Sequence, residues 1–67
     1  MEYLVRLPDV KKLVGLSRSQ IYSLIAQNEF PSSIPLGKRA RGWVASEITA
    51  WINNRIGERD RLEKLKS

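Results

Sequence analysis

Residues 13–25 constrain the fold more than any other stretch, because they close one helix and open the next across only Gly15, Leu16 and Ser17. Gly15 sits where a first helix needs a left-handed stop, a backbone state that costs other L-residues more than glycine. Ser17 then offers its hydroxyl to a first-turn N–H, and Gln20 three residues on can reach back, which is the S-x-x-Q capping box. Leu16 between them can point inward and fix the angle of the two helices. A helix, a short turn containing glycine and a capped second helix form the helix-turn-helix signature.

The remaining chain is short. Sixty-seven residues make one domain whose core is marginal on its own. Cysteine and histidine are both absent, which removes disulfides, thiol nucleophiles, the usual zinc clusters and imidazole acid–base chemistry, and fits a reducing compartment. No apolar run approaches the roughly 18 residues of a membrane span and no signal peptide is legible, so a cytoplasmic protein without membrane contact is expected. Twelve Lys and Arg against seven Asp and Glu leave a net charge of +5 and a pI near 10.1, favouring a polyanionic partner. Charge alone does not separate DNA from RNA or from an acidic protein.

Before the turn, Tyr3-Leu4-Val5-Arg6-Leu7 suits a short strand added to a small sheet formed later. Pro8 and Asp9 open a first helix over residues 8–14, with Val10, Leu13 and Val14 on one face. Lys11 and Lys12 turn to solvent.

The second helix is expected from 18 to about 27. At 100° per residue, Leu24, Ile25 and Asn28 share the side of Ile21, while Ser19, Tyr22, Ser23 and Ala26 fall on the far side and Arg18 on the flank. That outward face is small and polar near the helix start, as close approach to a DNA groove demands. Arg18 can fork onto a guanine or grip a phosphate, Ser19 and Ser23 can donate to either, and Tyr22 offers a phenolic O–H. The competing reading makes the serines plain surface and Tyr22 half core. Asn28 closes the helix in the left-handed conformation and Phe30-Pro31 turns the chain.

Two short strand-like runs follow, Ser33-Ile34-Pro35-Leu36 and Gly42-Trp43-Val44, joined by a hairpin loop Gly37-Lys38-Arg39-Ala40-Arg41. Pro35 cannot donate to a ladder, so its strand belongs at an edge. Lys38, Arg39 and Arg41 have no acid near them in sequence, and a cationic hairpin beside a recognition helix has the character of a wing. A third helix begins near Ala45, with Glu47 in its first turn and Ile48, Trp51, Ile52 and Ile56 at helical spacing. Trp43 and Trp51 are expected to fill the core. After Gly57 the composition turns to charges of alternating sign, with Asp60 and Lys64 spaced for an i, i+4 pair. Leu62 and Leu65 offer too thin a stripe to bury, so residues 58–67 read as a flexible tail or a helical extension outside a domain of residues 1–57.

The order of Gly15-Leu16-Ser17-Arg18-Ser19, Ile21-Tyr22, Leu24-Ile25, Phe30-Pro31, Leu36-Gly37, Arg39, Gly42-Trp43, Glu47-Ile48 and Trp51 resembles the AlpA family of phage and prophage regulators. These in turn are similar to excisionase and MerR-type winged helix-turn-helix domains. Ser23 stands where members often carry arginine, and Asn28 where glycine is frequent. The resemblance implies a DNA-binding transcriptional regulator, or an accessory factor in excision, with contact to a recombinase or RNA polymerase.

Residues and resemblance together predict a mostly α fold of three helices and a β-hairpin wing, a winged helix-turn-helix. Its partner is double-stranded DNA, met by Ser17, Arg18, Ser19, Gln20, Tyr22 and Ser23 of the second helix and by Lys38, Arg39 and Arg41 of the wing. Weak self-association or cooperative binding on repeated sites would raise the affinity of so small a contact. A protein-interaction module docking an acidic partner, and an RNA binder, are the alternatives. No catalytic constellation, metal site or cofactor is expected, because Asp9, Glu29 and Glu47 are scattered singly and no phosphate-cradling glycine loop is present.

Overall fold

The computed structural model describes residues 2–66, and Met1 and Ser67, the outer ends of the two expected segments, lie outside them. The elements run β1 (Leu4–Val5), α1 (Leu7–Val14), α2 (Arg18–Ala26), β2 (Ile34–Pro35), β3 (Arg41–Val44) and α3 (Ala45–Lys66). This is the expected mostly helical fold with a small antiparallel sheet, a winged helix-turn-helix.

Gly15 and Ser17 act as their types dictate. Gly15 takes φ 71° and ψ 26° and its N–H donates to the Lys11 carbonyl at 2.8 Å, ending α1. Two residues later the Gln20 N–H donates to Ser17 Oγ at 3.2 Å and the Ser17 N–H to Gln20 Oε1 at 2.9 Å, closing the capping box. At the far end of α2, Asn28 has φ 59°, while its N–H donates to Ile25 O and the Glu29 N–H to Leu24 O. That pair is a Schellman closure, with asparagine tolerating the left-handed position.

The sheet has the order β1-β3-β2, both pairs antiparallel. Leu4 opposes Val44 and Val5 opposes Trp43 on one side of β3; Ile34 opposes Gly42 and Pro35 opposes Arg41 on the other. Pro35 therefore lies on an edge strand, and the N-terminal segment joins the sheet as expected. At Gly42, in the central strand, a Cβ would stand 2.9 Å from Leu36 Cδ1, the movable tip of an exposed side chain, and 3.5 Å from Leu4 Cβ, an ordinary contact.

Every layer contributes one side chain to the core. Val10 of α1, Ile21 of α2, Phe30 of the connector, Trp43 of β3 and Ile48 of α3 are buried and touch as one cluster. The two indoles also pin the connector between α2 and β2: Trp43 Nε1 donates to Pro31 O at 3.0 Å and Trp51 Nε1 to Glu29 O at 2.8 Å. Phe30 meets Trp51 edge to face, with ring centres 4.9 Å apart.

Several boundaries differ from the sequence expectation; β1 and β2 are shorter, at Leu4–Val5 and Ile34–Pro35. Helix α1 starts at Leu7, with Arg6 as its cap residue and Pro8 inside the first turn. Arg41 belongs to strand β3, because its backbone pairs with Pro35, and β2 stops at Pro35, so the hairpin loop is residues 36–40 rather than 37–41. Helix α3 runs unbroken through Gly57 to Lys66, held there in part by Arg55–Glu58 and Arg61–Glu58 ion pairs at i, i+3 spacing. That extension carries the helix beyond the body. The molecule measures 50 × 28 × 19 Å, with a radius of gyration of 13.6 Å against about 11 Å for a compact domain of this length.

Candidate nucleic-acid interface

The first turn of α2 holds two kinds of side chain. Ser17 and Gln20 are occupied by the capping box, so their main work is to set where the helix starts. Arg18, Ser19 and Ser23 are exposed, and Ser23 Oγ accepts from Gln27 Nε2 at 3.3 Å within the helix. Ser19 has no hydrogen-bond partner among the described residues and presents a short hydroxyl with nothing to displace.

Tyr22 differs from the simple outward position that helical angles suggest. It is half-buried, because its ring meets Trp43 edge to face at 6.3 Å between centres. Arg18, one turn earlier, stacks its guanidinium over the same ring at 5.3 Å. This i, i+4 stack restrains a long cationic side chain that would otherwise sample many rotamers.

In the wing, Arg41 and Trp43 are two residues apart on β3 and so share a face of the sheet. The Arg41 guanidinium turns to β2, donating from Nε to Ser33 Oγ and from Nη2 to Ser33 O at 3.4 Å. Trp43, Tyr22 and Arg18 therefore make a contiguous run from β3 to the flank of α2, and Arg41 lies two residues from Trp43 along the same strand. Lys38 and Arg39 stand exposed in the loop before β3.

Charge is divided unevenly. The Arg–carboxylate pairs resolved in the structure lie in α3, at Arg55–Glu58, Arg59–Asp60 and Arg61–Glu58. Arg18, Lys38, Arg39 and Arg41 have no carboxylate within ion-pair distance among the described residues. Such a surface suits phosphate groups, whose condensed counterions leave when Lys and Arg arrive. Among the described residues there is also no group of three His, Cys, Asp or Glu able to hold a metal ion, and no helix long and apolar enough to cross a membrane.

The Phe30 contacts, the Ser33–Arg41 tie and the indole-to-backbone bonds have no local signature in the sequence.

Two helices meeting at a tight capped turn, with a three-stranded sheet whose hairpin carries exposed cations, define a winged helix-turn-helix domain. Residues 3–56 match the family model described as prophage CP4-57 regulatory protein (AlpA), and the chain belongs to that family. A relative from Enterobacteria phage P4, the uncharacterized protein ORF88, is 48% identical over 60 residues, covering 90% of this chain and 68% of that one. The DNA-binding transcriptional activator AlpA of Escherichia coli (strain K12) is 31% identical over 58 residues, covering 78% of this chain and 83% of its own length.

Proposed function

We propose that this protein is a double-stranded DNA-binding regulator of the AlpA type, acting in the cytoplasm on transcription or as an accessory factor in excision. The observation that carries the reading is the run Trp43–Tyr22–Arg18, which packs the exposed start of α2 against β3, the strand that also carries Arg41 of the cationic wing. In this reading Ser19 and Ser23 meet base edges or phosphates in the major groove, and Arg18 forks onto a guanine or a phosphate. Lys38, Arg39 and Arg41 grip the adjacent backbone or minor groove. Ser17 and Gln20 act through the helix start, where backbone N–H groups and the dipole favour a phosphate. The Escherichia coli relative, a DNA-binding transcriptional activator, supports the same assignment. The reading gives the protein no catalytic role, and makes residues 1–57 the DNA-binding unit.

Four cations on this face, or six if Lys11 and Lys12 join them, set the salt dependence. The slope of log K against log salt should be about −3.6 to −5.4, so affinity falls roughly two to three orders of magnitude between 50 and 200 mM salt. The assay is selection of bound sites from a random duplex pool, followed by titration of the best site at several salt concentrations. A recovered motif with that slope supports the reading. Absence of a motif, or an affinity indifferent to salt, refutes it.

A further inference from the structure

An open hollow of about 520 Å³ lies against α2, lined by Leu16, Ser19, Gln20, Ser23 and Leu24. Ser19 and Ser23 are one turn apart, as are Gln20 and Leu24, so two adjacent columns of the helix bound it, and Leu16 in the preceding turn closes its near end. Leu16 and Leu24 are half-buried: one side of each packs on the core cluster, and what remains uncovered belongs to the hollow. None of the five side chains is charged. At about 100° per residue, Gln20 and Leu24 fall roughly half a circle from Tyr22, so the hollow occupies the flank of α2 opposite the Arg18–Tyr22 stack. Ser19 and Ser23 lie between the two flanks, and a duplex laid over them meets both.

The capping box uses only half of Gln20. An N–H can be satisfied only by an acceptor, so the Ser17 N–H, at 2.9 Å, engages the amide oxygen Oε1 and leaves the amide nitrogen outside the box. Nε2 carries two hydrogens and has no acceptor among the described residues. The hollow thus sets a donor beside an apolar concavity, next to the two serines assigned above to base edges or phosphates.

We propose that this hollow reads one thymine of the duplex, with the C5 methyl group seated among Leu16, Ser23 and Leu24 and O4 accepting from Gln20 Nε2. The inference rests on the DNA-binding reading and names a base that the reading leaves open. Four base edges compete for the place in the major groove, and three fit it poorly. Cytosine turns its N4 amino donor toward another donor. Adenine offers N7 as an acceptor but brings an N6 donor, whose usual partner in glutamine, Oε1, is already held by Ser17. Guanine has two acceptors and no methyl, so the leucine walls stay wet. Thymine alone places an acceptor and a methyl side by side, which is the pattern the hollow presents in reverse. The short side chains of Ser19 and Ser23 let the helix backbone come near enough for that edge to enter.

The first arm of the test needs no altered protein. Each thymine of the site selected from the random duplex pool is replaced in turn by uracil, which removes the methyl and keeps O4. One thymine in each copy of the motif should lose about fourfold in affinity, which is what burial of a single carbon contributes, and the others much less. The second arm is Gln20→Glu. Glutamate also closes an S-x-x-E capping box, so the thermal midpoint should stay near that of the wild type. It replaces the free donor by an oxygen, and a carboxylate accepts from cytosine N4. Site selection with this variant should change that same base pair from T·A to C·G, whatever its added negative charge does to affinity as a whole.

A motif without thymine, uracil tolerated at every position, or a loss spread evenly over all thymines overturns the proposal. So does a Gln20→Glu protein that still selects T·A at that base pair or switches a different one. Each of these results leaves salt-dependent DNA binding standing. If the variant unfolds, the uracil series with the wild-type protein decides alone. A wild-type pool that yields no motif removes the DNA-binding reading itself, and the thymine contact with it.

Discussion

Replacing Trp43 by phenylalanine tests whether the core of this small domain depends on an indole rather than on aromatic bulk. Trp43 is fully buried and its Nε1 donates to Pro31 O at 3.0 Å. Phenylalanine leaves that part-buried carbonyl without its donor, at about 1–2 kcal/mol. It also opens a void of roughly 40 Å³, worth about 1 kcal/mol at ~24 cal/mol per Å³. The sum, about 2–3 kcal/mol, is a large fraction of the ~3–10 kcal/mol expected for a chain of this length. The thermal midpoint should fall by roughly 10–20 °C. Trp51→Phe is the control: Trp51 is only half-buried, its bond to Glu29 O is exposed, and water can replace the lost donor. It should cost about 1 kcal/mol or less. Unfolding by urea and by heat, followed by far-UV circular dichroism at low protein concentration, measures both. Equal losses in the two variants, or a larger loss at Trp51, would refute the assignment of Trp43 as the pin between sheet, connector and α2.

Two further outcomes follow from local contacts. Ser17→Ala removes the acceptor for the Gln20 N–H and should cost about 1 kcal/mol of stability, while Ser19→Ala, with no bond to lose, should cost much less in the same unfolding assay. If Tyr22 serves DNA by holding Arg18 with its ring, Tyr22→Phe should bind the selected site as the wild type does, and Tyr22→Leu should bind about two- to five-fold more weakly. Tyr22→Leu should then change nothing in an Arg18→Ala background. Additive losses, or a loss in Tyr22→Phe, would mean that the phenol itself touches the ligand.

What could be read from the sequence was what is decided locally. Gly15, Ser17 and Gln20 set their turn through bonds spanning three or four residues, and Pro35 betrays an edge strand because a proline nitrogen has no hydrogen to give. Arg41 was harder, because loop and strand differ there only in whether the backbone pairs with Pro35. Helical angles place Tyr22 100° from the core residue Ile21, and that number is right. The sheet rises against that flank, and no periodicity within α2 reports it. Gly57 looks like a helix stop, but a mid-helix glycine costs only about 1 kcal/mol, which neighbouring ion pairs and helix formers can offset. Phe30 sits in a connector without periodicity, so its burial emerges only when Trp51 closes over it.

The site-selection experiment also reports on how copies of the protein meet. A face of four to six cations is small, so two copies on one site would raise its affinity. A two-fold pair of reading heads requires half-sites in inverted order, because the symmetry of the protein is repeated in the duplex, whereas head-to-tail contact favours direct repeats. Inverted half-sites in the recovered motif would therefore mean a closed two-fold pair, direct repeats an open head-to-tail arrangement, and an unrepeated motif a single copy reading alone.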